Sequence, residues 1–281
     1  VDVDIVSYIR KYSYLGNQRY SKKRTNKSFV HSSIQIDVVV PYYQVGDTTY
    51  NLIPCPSGIF IKGHENEDDN LPQEMKIEKS FLLGETEITQ ELYYAIMKKS
   101  PSQFKGNPKN PVEKVSWYDA VIFCNKLSDM FKFARYYTIT KDGQIVDTIE
   151  TKQEDYVVET NESSKGFRLP TEWEWEYAAK AGTQLLYSGS NNANEVAFYN
   201  KNPDGTTHEI KQKKPNAWGF YDMSGNVWEW CENKNNSTSA YRVNRGGSCY
   251  DGASYLRSAY RNYNSPGIRS ASLGFRVCRY I

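Results

Sequence analysis

The sequence predicts an α+β fold rich in irregular structure. Strand-like alternations are short, helical periodicity appears in a few scattered windows, and no internal repeat is visible along the 281 residues. The length suits one large or two small domains. The expected plan is an N-terminal segment over 1–50 that packs on or tethers a domain spanning 51–281.

Taken in order, residues 1–50 are polar and Tyr-rich, and 34–40 (IQIDVVV) reads as a strand. Cys55-Pro56-Ser57-Gly58 marks a turn before a strand over 59–62, and the acidic, Asn-rich stretch 64–73 reads as a loop. Residues 76–81 and 84–88 alternate as strands. A helix starts at Thr89, with Glu91, Leu92, Tyr93, Ile96 and Met97 at helical spacing, and Pro101 ends it. Ser116 caps a second helix carrying Asp119, Ala120, Val121, Phe123, Cys124 and Leu127. A hairpin over 136–149 turns at Lys141-Asp142-Gly143, and a polar insertion fills 150–164. Thr171 and Glu174 form a capping box for a third helix, with Trp175, Tyr177, Ala178 and Ala179 on its apolar face and Gly182 as its stop. After a long polar stretch over 191–214, short segments are separated by Gly.

A net charge of +2, with no basic block, argues against nucleic acid as a partner. No run of 18 apolar residues exists, so no helix is expected to span a membrane. The start, VDVDIVSYIR, has neither the basic head nor the small-residue cleavage site of a signal peptide. The five Cys show no CxxC spacing, and with three His a zinc site is not expected. One or two disulfides stay open. The 23 Tyr suit either a binding protein or a loop-rich fold, since Tyr buries area while keeping a hydroxyl to bond.

The ordered run GFRLPTEWEWEYAAKAGT, GFYDMSGNVWEW, RGGS, LRSAYRNYNSP and LGFRVCR resembles the formylglycine-generating-enzyme (sulfatase-modifying factor) family. Upstream, IPCPSGIFIKG, FLLGETEITQ and PVEKVSWYDAVIFCNKL fit the same resemblance, which covers about residues 50–281. It implies a C-type lectin fold: two main helices beside small antiparallel, twisted sheets with extensive loops.

The family's best-known activity, copper-dependent oxidation of a sulfatase Cys to formylglycine, needs two C-terminal cysteines five apart, because a thiolate is both nucleophile and metal ligand. Here Cys249 follows RGGS, Ser254 stands five positions on, and the next Cys is Cys278. The sulfoxide-synthase branch needs a helical domain with a His cluster, whereas His31, His64 and His208 are scattered. No catalytic residue is therefore expected. An oxidase or sulfoxide synthase acting on a thiol or cysteine is the alternative. Glu174 and Glu176, two apart on a helix, point in different directions and read as structural rather than as an acid–base pair. In the enzymes a calcium lies at the position of Glu229, with backbone oxygens around Ser224, Gly225 and Val227. The competing reading pairs Glu229 with a buried Arg such as Arg245 or Arg276.

Residues 241–281 contain no Lys, Glu, Gln, Trp or Met. Those types make up roughly a quarter of ordinary sequence, so the gap has odds of about one in ten thousand or less. Codons of the form NNY cannot encode any of the five. Within the tail, Arg245, Gly246, Gly247, Ser248, Arg257, Ser258, Ala259, Arg261, Pro266, Arg269, Gly274, Phe275 and Arg276 keep the family frame. Between them lie Cys249, Tyr250, Asp251, Gly252, Tyr255, Tyr260, Asn262, Tyr263, Asn264, Gly267, Ile268, Ser270, Ala271 and Ser272. Each is reachable from an Asn AAY codon by changing only its adenines. The pattern resembles the variable proteins of diversity-generating retroelements, in which adenine-specific mutagenesis rewrites the C-terminal repeat of a C-type-lectin-fold protein. The resemblance implies a non-enzymatic, receptor- or adhesin-like protein on the bacterial surface, exported as a lipoprotein whose membrane contact is a lipid anchor outside this chain. It implies a monomer with a variable protein ligand and no obligatory cofactor. The fourteen interleaved residues are then the binding site, expected exposed and contiguous, with Arg257, Arg261 and Phe275 buried.

Overall fold

A computed structural model describes residues 28–31, 34–37, 40–65, 67, 70–149, 156–202 and 204–281. Strands β1 (Ser28–His31) and β2 (Ile34–Asp37) form an antiparallel hairpin, β2 taking the first four residues of the strand expected over 34–40. What the sequence reading says of residues 1–27 lies outside the described residues. β3 (Tyr42–Val45) and β4 (Thr48–Cys55) turn at Gly46, which has φ +60. The expected start of the domain at 51 falls inside β4. Tyr43, Val45 and Tyr50 are already core residues, and the intervening Gly46, Asp47, Thr48 and Thr49 hide their alternation in the sequence.

β5 (Gly58–Lys62) and β6 (Gln73–Ile77) form a second hairpin, followed by β7 (Phe81–Gly84). The strands expected over 76–81 and 84–88 are thus displaced toward the N-terminus. Residues 85–88 leave the sheet because Glu85 and Glu87 are buried. Their carboxylates accept from Asn51 and Lys211, and from Asn226 and the Val227 amide. Helix α1 (Gln90–Met97) is capped by Thr89 and ends at Lys98 in a left-handed conformation, ahead of Pro101. α2 (Trp117–Met130) starts in a capping box between Ser116 and Asp119. β8 (Tyr137–Lys141), β9 (Gln144–Ile145) and β10 (Val157–Thr160) make a three-stranded sheet, and β10 arises within the stretch read as a polar insertion. α3 (Glu172–Lys180) carries the expected Thr171–Glu174 capping box. α4 (Ala193–Val196) is a single turn.

The remaining strands are β11 (Trp228–Lys234), β12 (Arg242–Arg245), β13 (Arg261–Asn264), β14 (Leu273–Gly274) and β15 (Cys278–Tyr280), with a 3-10 turn over Ala253–Leu256. Two four-stranded sheets organise the fold, in orders β15-β7-β4-β3 and β13-β12-β11-β14. One apolar cluster joins α1 and α2 to β3, β4 and the Trp228 and Trp230 side of β11. A second seats α3, through Trp175, Ala178 and Ala179, against Ile53, Phe81 and Leu83 on one side and Cys231 and Val243 on the other. The final segment closes the core. Phe275 is fully buried with its ring 5.1 Å from Phe123, and burying such a ring contributes about 1.5–3 kcal/mol. The result is the loop-rich α+β architecture with small, mostly antiparallel sheets that the sequence predicts.

Candidate functional site

The tail is built as a clamp. Its arginines reach out of 241–281 to carboxylates in the body of the domain. Arg245 is fully buried and meets Glu176 of α3 at 2.5 Å through Nη2, which also donates to the Ser258 carbonyl, while Nη1 donates to the Ala259 and Tyr260 carbonyls. Arg276, also fully buried, holds Glu229 through Nε at 2.6 Å and Nη2 at 2.7 Å, and donates to Gly84 O and Tyr221 O. Arg261 grips Glu172 at the start of α3, and Arg269 grips Asp119 at the start of α2, each through two hydrogen bonds. Arg257 meets Glu67 at 2.7 Å. Phe275 is buried as expected; Arg257 and Arg261 are half-buried, because each extends along the surface to reach its acid. Paired guanidinium–carboxylate bonds fix orientation as well as charge, so the loops between these anchors are held by groups outside the tail.

Turn geometry adds to the clamp. Gly246 and Gly247 have φ of +96 and +74. A Cβ on Gly247 would lie 2.4 Å from the Leu256 side chain and 2.9 Å from Tyr255 O, so only glycine fits. Backbone bonds then moor the loops: Asn200 N to Asp251 O, Lys114 N to Ser270 O, Trp117 N to Pro266 O and Trp228 N to Ser272 O.

Between these anchors, Tyr250, Tyr255, Tyr263 and Ile268 are 43–47% exposed. Asp251, Gly252, Tyr260, Asn262, Asn264, Gly267, Ser270, Ala271 and Ser272 are half-buried. Ring contacts connect several of them. Tyr255 meets Tyr260 at 5.0 Å, and Tyr260 meets Trp228 at 6.1 Å. Three aromatic residues that the sequence reading did not single out border the set: Phe104 against Tyr250, Trp228 against Tyr260 and Tyr241 against Tyr263. Only Tyr241, in the tail and compatible with an NNY codon, carried a signal that could have found it. Asp251 also serves the fold, since its carboxylate accepts from the Ser248 amide and hydroxyl.

Cys249 departs from the expected exposed position. It is 1% exposed, because its amide donates to Asn226 O directly after the glycine turn and directs the side chain inward. Burial pushes its thiol up to about 12, the opposite of what a reactive thiolate needs. All five cysteines are buried and unbridged.

Glu229 shares its carboxylate between Arg276 and the Trp175 indole N–H, which donates at 2.8 Å. A calcium there would sit against a buried guanidinium, so these residues do not fit it. Glu174 pairs with Arg168 at 2.6 Å while Glu176 pairs with Arg245, so the two carboxylates serve different anchors.

Comparison with known proteins agrees with this architecture. The pattern of the sulfatase-modifying factor enzyme 1-like domain matches residues 43–281. The chaperone protein LppX of Paenibacillus barcinonensis is 35% identical over 224 residues, 71% of this chain and 80% of its own. The formylglycine-generating enzyme of Streptomyces coelicolor is 30% identical over 62% of this chain, which spans about half of that enzyme (54%). Among solved structures, Treponema denticola variable protein 1 superposes with a TM-score of 0.80 at 36% identity, covering 86% of this chain and 99% of its own.

Proposed function

Since this chain belongs to the sulfatase-modifying factor enzyme 1-like family, we propose that it is a non-enzymatic ligand-binding protein whose C-terminal site is diversified by a retroelement. The observation that carries the reading is the division of labour in the tail. The frame arginines are anchored on carboxylates that the codon scheme cannot reach, while thirteen of the fourteen interleaved side chains stay at least partly exposed. Similarity to a Treponema variable protein supports it. The ligand is a protein: the surface is Tyr- and Asn-rich, as in paratopes, and a relative named as a chaperone is consistent with protein clients. Export and display on the bacterial surface through a lipid anchor complete the reading.

Sequencing the locus from several isolates tests it. Differences are expected at the thirteen exposed or half-buried positions, with the arginines and their acids unchanged. Differences scattered elsewhere, or an invariant tail, overturn it. The formylglycine-generating relatives favour an oxidase as the second reading. Against it stand a buried Cys249 and a Ser254 where the second thiol is needed. Copper-dependent turnover of a thiol peptide would restore it.

A further inference from the structure

We propose that Arg242 is a fixed anion-binding contact inside the variable face, taking a carboxylate of the protein ligand. The inference rests on the placement of the ligand site given above. Five tail arginines, at 245, 257, 261, 269 and 276, each hold an acid. Arg279 spends its guanidinium on Lys165 O, the Tyr43 hydroxyl and the face of Phe133. Arg242 is built differently. Its guanidinium lies 3.8 Å over the Trp117 ring, and Nη1 donates to Glu232 O at 2.7 Å. Trp117 is itself fixed, its indole N–H donating to Cys231 O at 2.9 Å. The cation is therefore held in one orientation, and among the described residues Nη2 makes no hydrogen bond and Nε is buried without a partner. The nearby Glu232 carboxylate acts on it only at a distance, accepting from the Tyr136 and Tyr137 hydroxyls rather than from the guanidinium. A guanidinium stays protonated, so a half-buried, oriented positive charge is left without a hydrogen-bonded acid among the described residues.

Strand register places this charge among variable residues. Arg242 lies directly across from Asn264, and Asn244 directly across from Asn262. Side-chain alternation puts all four on one sheet face. Asn244 gives a second, independent sign. It is fully buried, and among the described residues both atoms of its amide lack a partner. A buried amide without a partner is costly in an ordinary interior, where it would be satisfied. A carboxylate is the group that suits the open edge of the guanidinium: planar, anionic, and able to accept from Nη2. As long as no neighbouring position brings in a carboxylate of its own, the site keeps a preference for an acidic group.

The test is a titration of the 15N-labelled full chain with N-acetylglutamate, following the arginine Nε–H resonances. The Arg242 resonance is expected to shift saturably, and N-acetylglutamine at matched ionic strength is expected to leave it still. Asn264→Asp, a change within the codon repertoire at a half-buried position, sets a carboxylate opposite Arg242. It is expected to weaken the response roughly tenfold or more, since a hydrogen-bonded charge contact is at stake. Arg242→Lys, which keeps charge but loses the planar fork, should weaken it similarly and assigns the peak. If that variant fails to fold, the Trp117 indole resonance under Asn264→Asp is the readout. No saturable shift, an equal shift with N-acetylglutamine, or movement of Arg257 and Arg261 instead would overturn the proposal. An invariant tail among isolates would sink the diversified reading and leave this titration standing; a silent titration sinks only the anion contact.

Discussion

Along residues 241–281, two interleaved sets of side chains follow opposite rules. Frame residues are buried or tied to partners in the body; the residues between them, Cys249 apart, keep at least part of their surface exposed. The contrast shows how a surface can change freely on a stable domain. The tail contributes cations, and the acids that fix them lie at Glu67, Asp119, Glu172, Glu176 and Glu229, outside the stretch that varies. A tail whose arginines paired with its own acids would risk losing its anchors each time it was rewritten.

The strongest way to break the contrast is to strip a frame anchor. Arg276→Met leaves Glu229 buried opposite nothing but the Trp175 N–H, and also abandons Gly84 O and Tyr221 O. Removing one partner of such a pair costs about 3–5 kcal/mol, or roughly 10 °C in Tm for a domain of this size. Thermal unfolding followed by circular dichroism measures it. A loss of less than about 1 kcal/mol would mean that the frame is not what holds the tail.

The same cluster sharpens the contrast through pH. Burial raises the Asp222 carboxyl to about 6, against the Lys211 amide and Arg276, which act to lower it. A raised acid favours its neutral form in the folded state. Its contribution to stability is full below pH 4 or so and is lost as pH rises through 6, by at most about 3 kcal/mol. Asp222→Asn removes that titration, and Asn tolerates the left-handed backbone found here, φ 57. Urea unfolding from pH 4 to 7 should therefore show the parent losing stability relative to the variant as pH rises. Parallel curves would place the proton elsewhere.

The sequence made part of this legible and withheld part for physical reasons. Caps at Thr89, Ser116 and Thr171 are local chemistry and could be read directly. The pairing of Glu229 with a tail arginine was one of two readings, and its partner proved to be Arg276. The other clamps could not be read, since Arg245 and Glu176 or Arg269 and Asp119 are brought together by the fold alone. β3 escaped because two adjacent Tyr blur its alternation, and β10 because Glu159 and Thr160 follow two Val. Cys249 shows the limit of codon reasoning: a codon says what a position can become, and packing says what it tolerates. Cys249→Tyr should cost about 1–3 kcal/mol by overpacking, whereas Tyr250→Cys next to it should cost little. Equal stabilities for the pair would return Cys249 to the variable surface.

The smallest expected effects test the other side of the contrast. Tyr250, Tyr255, Tyr263 and Ile268 stand nearly half exposed, and their main chain is moored by glycine turns and frame arginines rather than by their own side chains. Substituting each with Ser should change stability by no more than about 0.5 kcal/mol, the usual range for surface positions. Tyr255 and Tyr263 should be the costliest, because their rings meet Tyr260 at 5.0 Å and Tyr241 at 5.8 Å and such pairs contribute about 0.5–1.5 kcal/mol where well packed. Tm should therefore move by only a degree or two for each variant. The informative result would be a loss of several degrees on changing Tyr250 or Ile268, which have no such stacking partner in the tail. That would make the exposed tyrosines part of the scaffold, and a surface that must keep its side chains to stay folded cannot be rewritten at will.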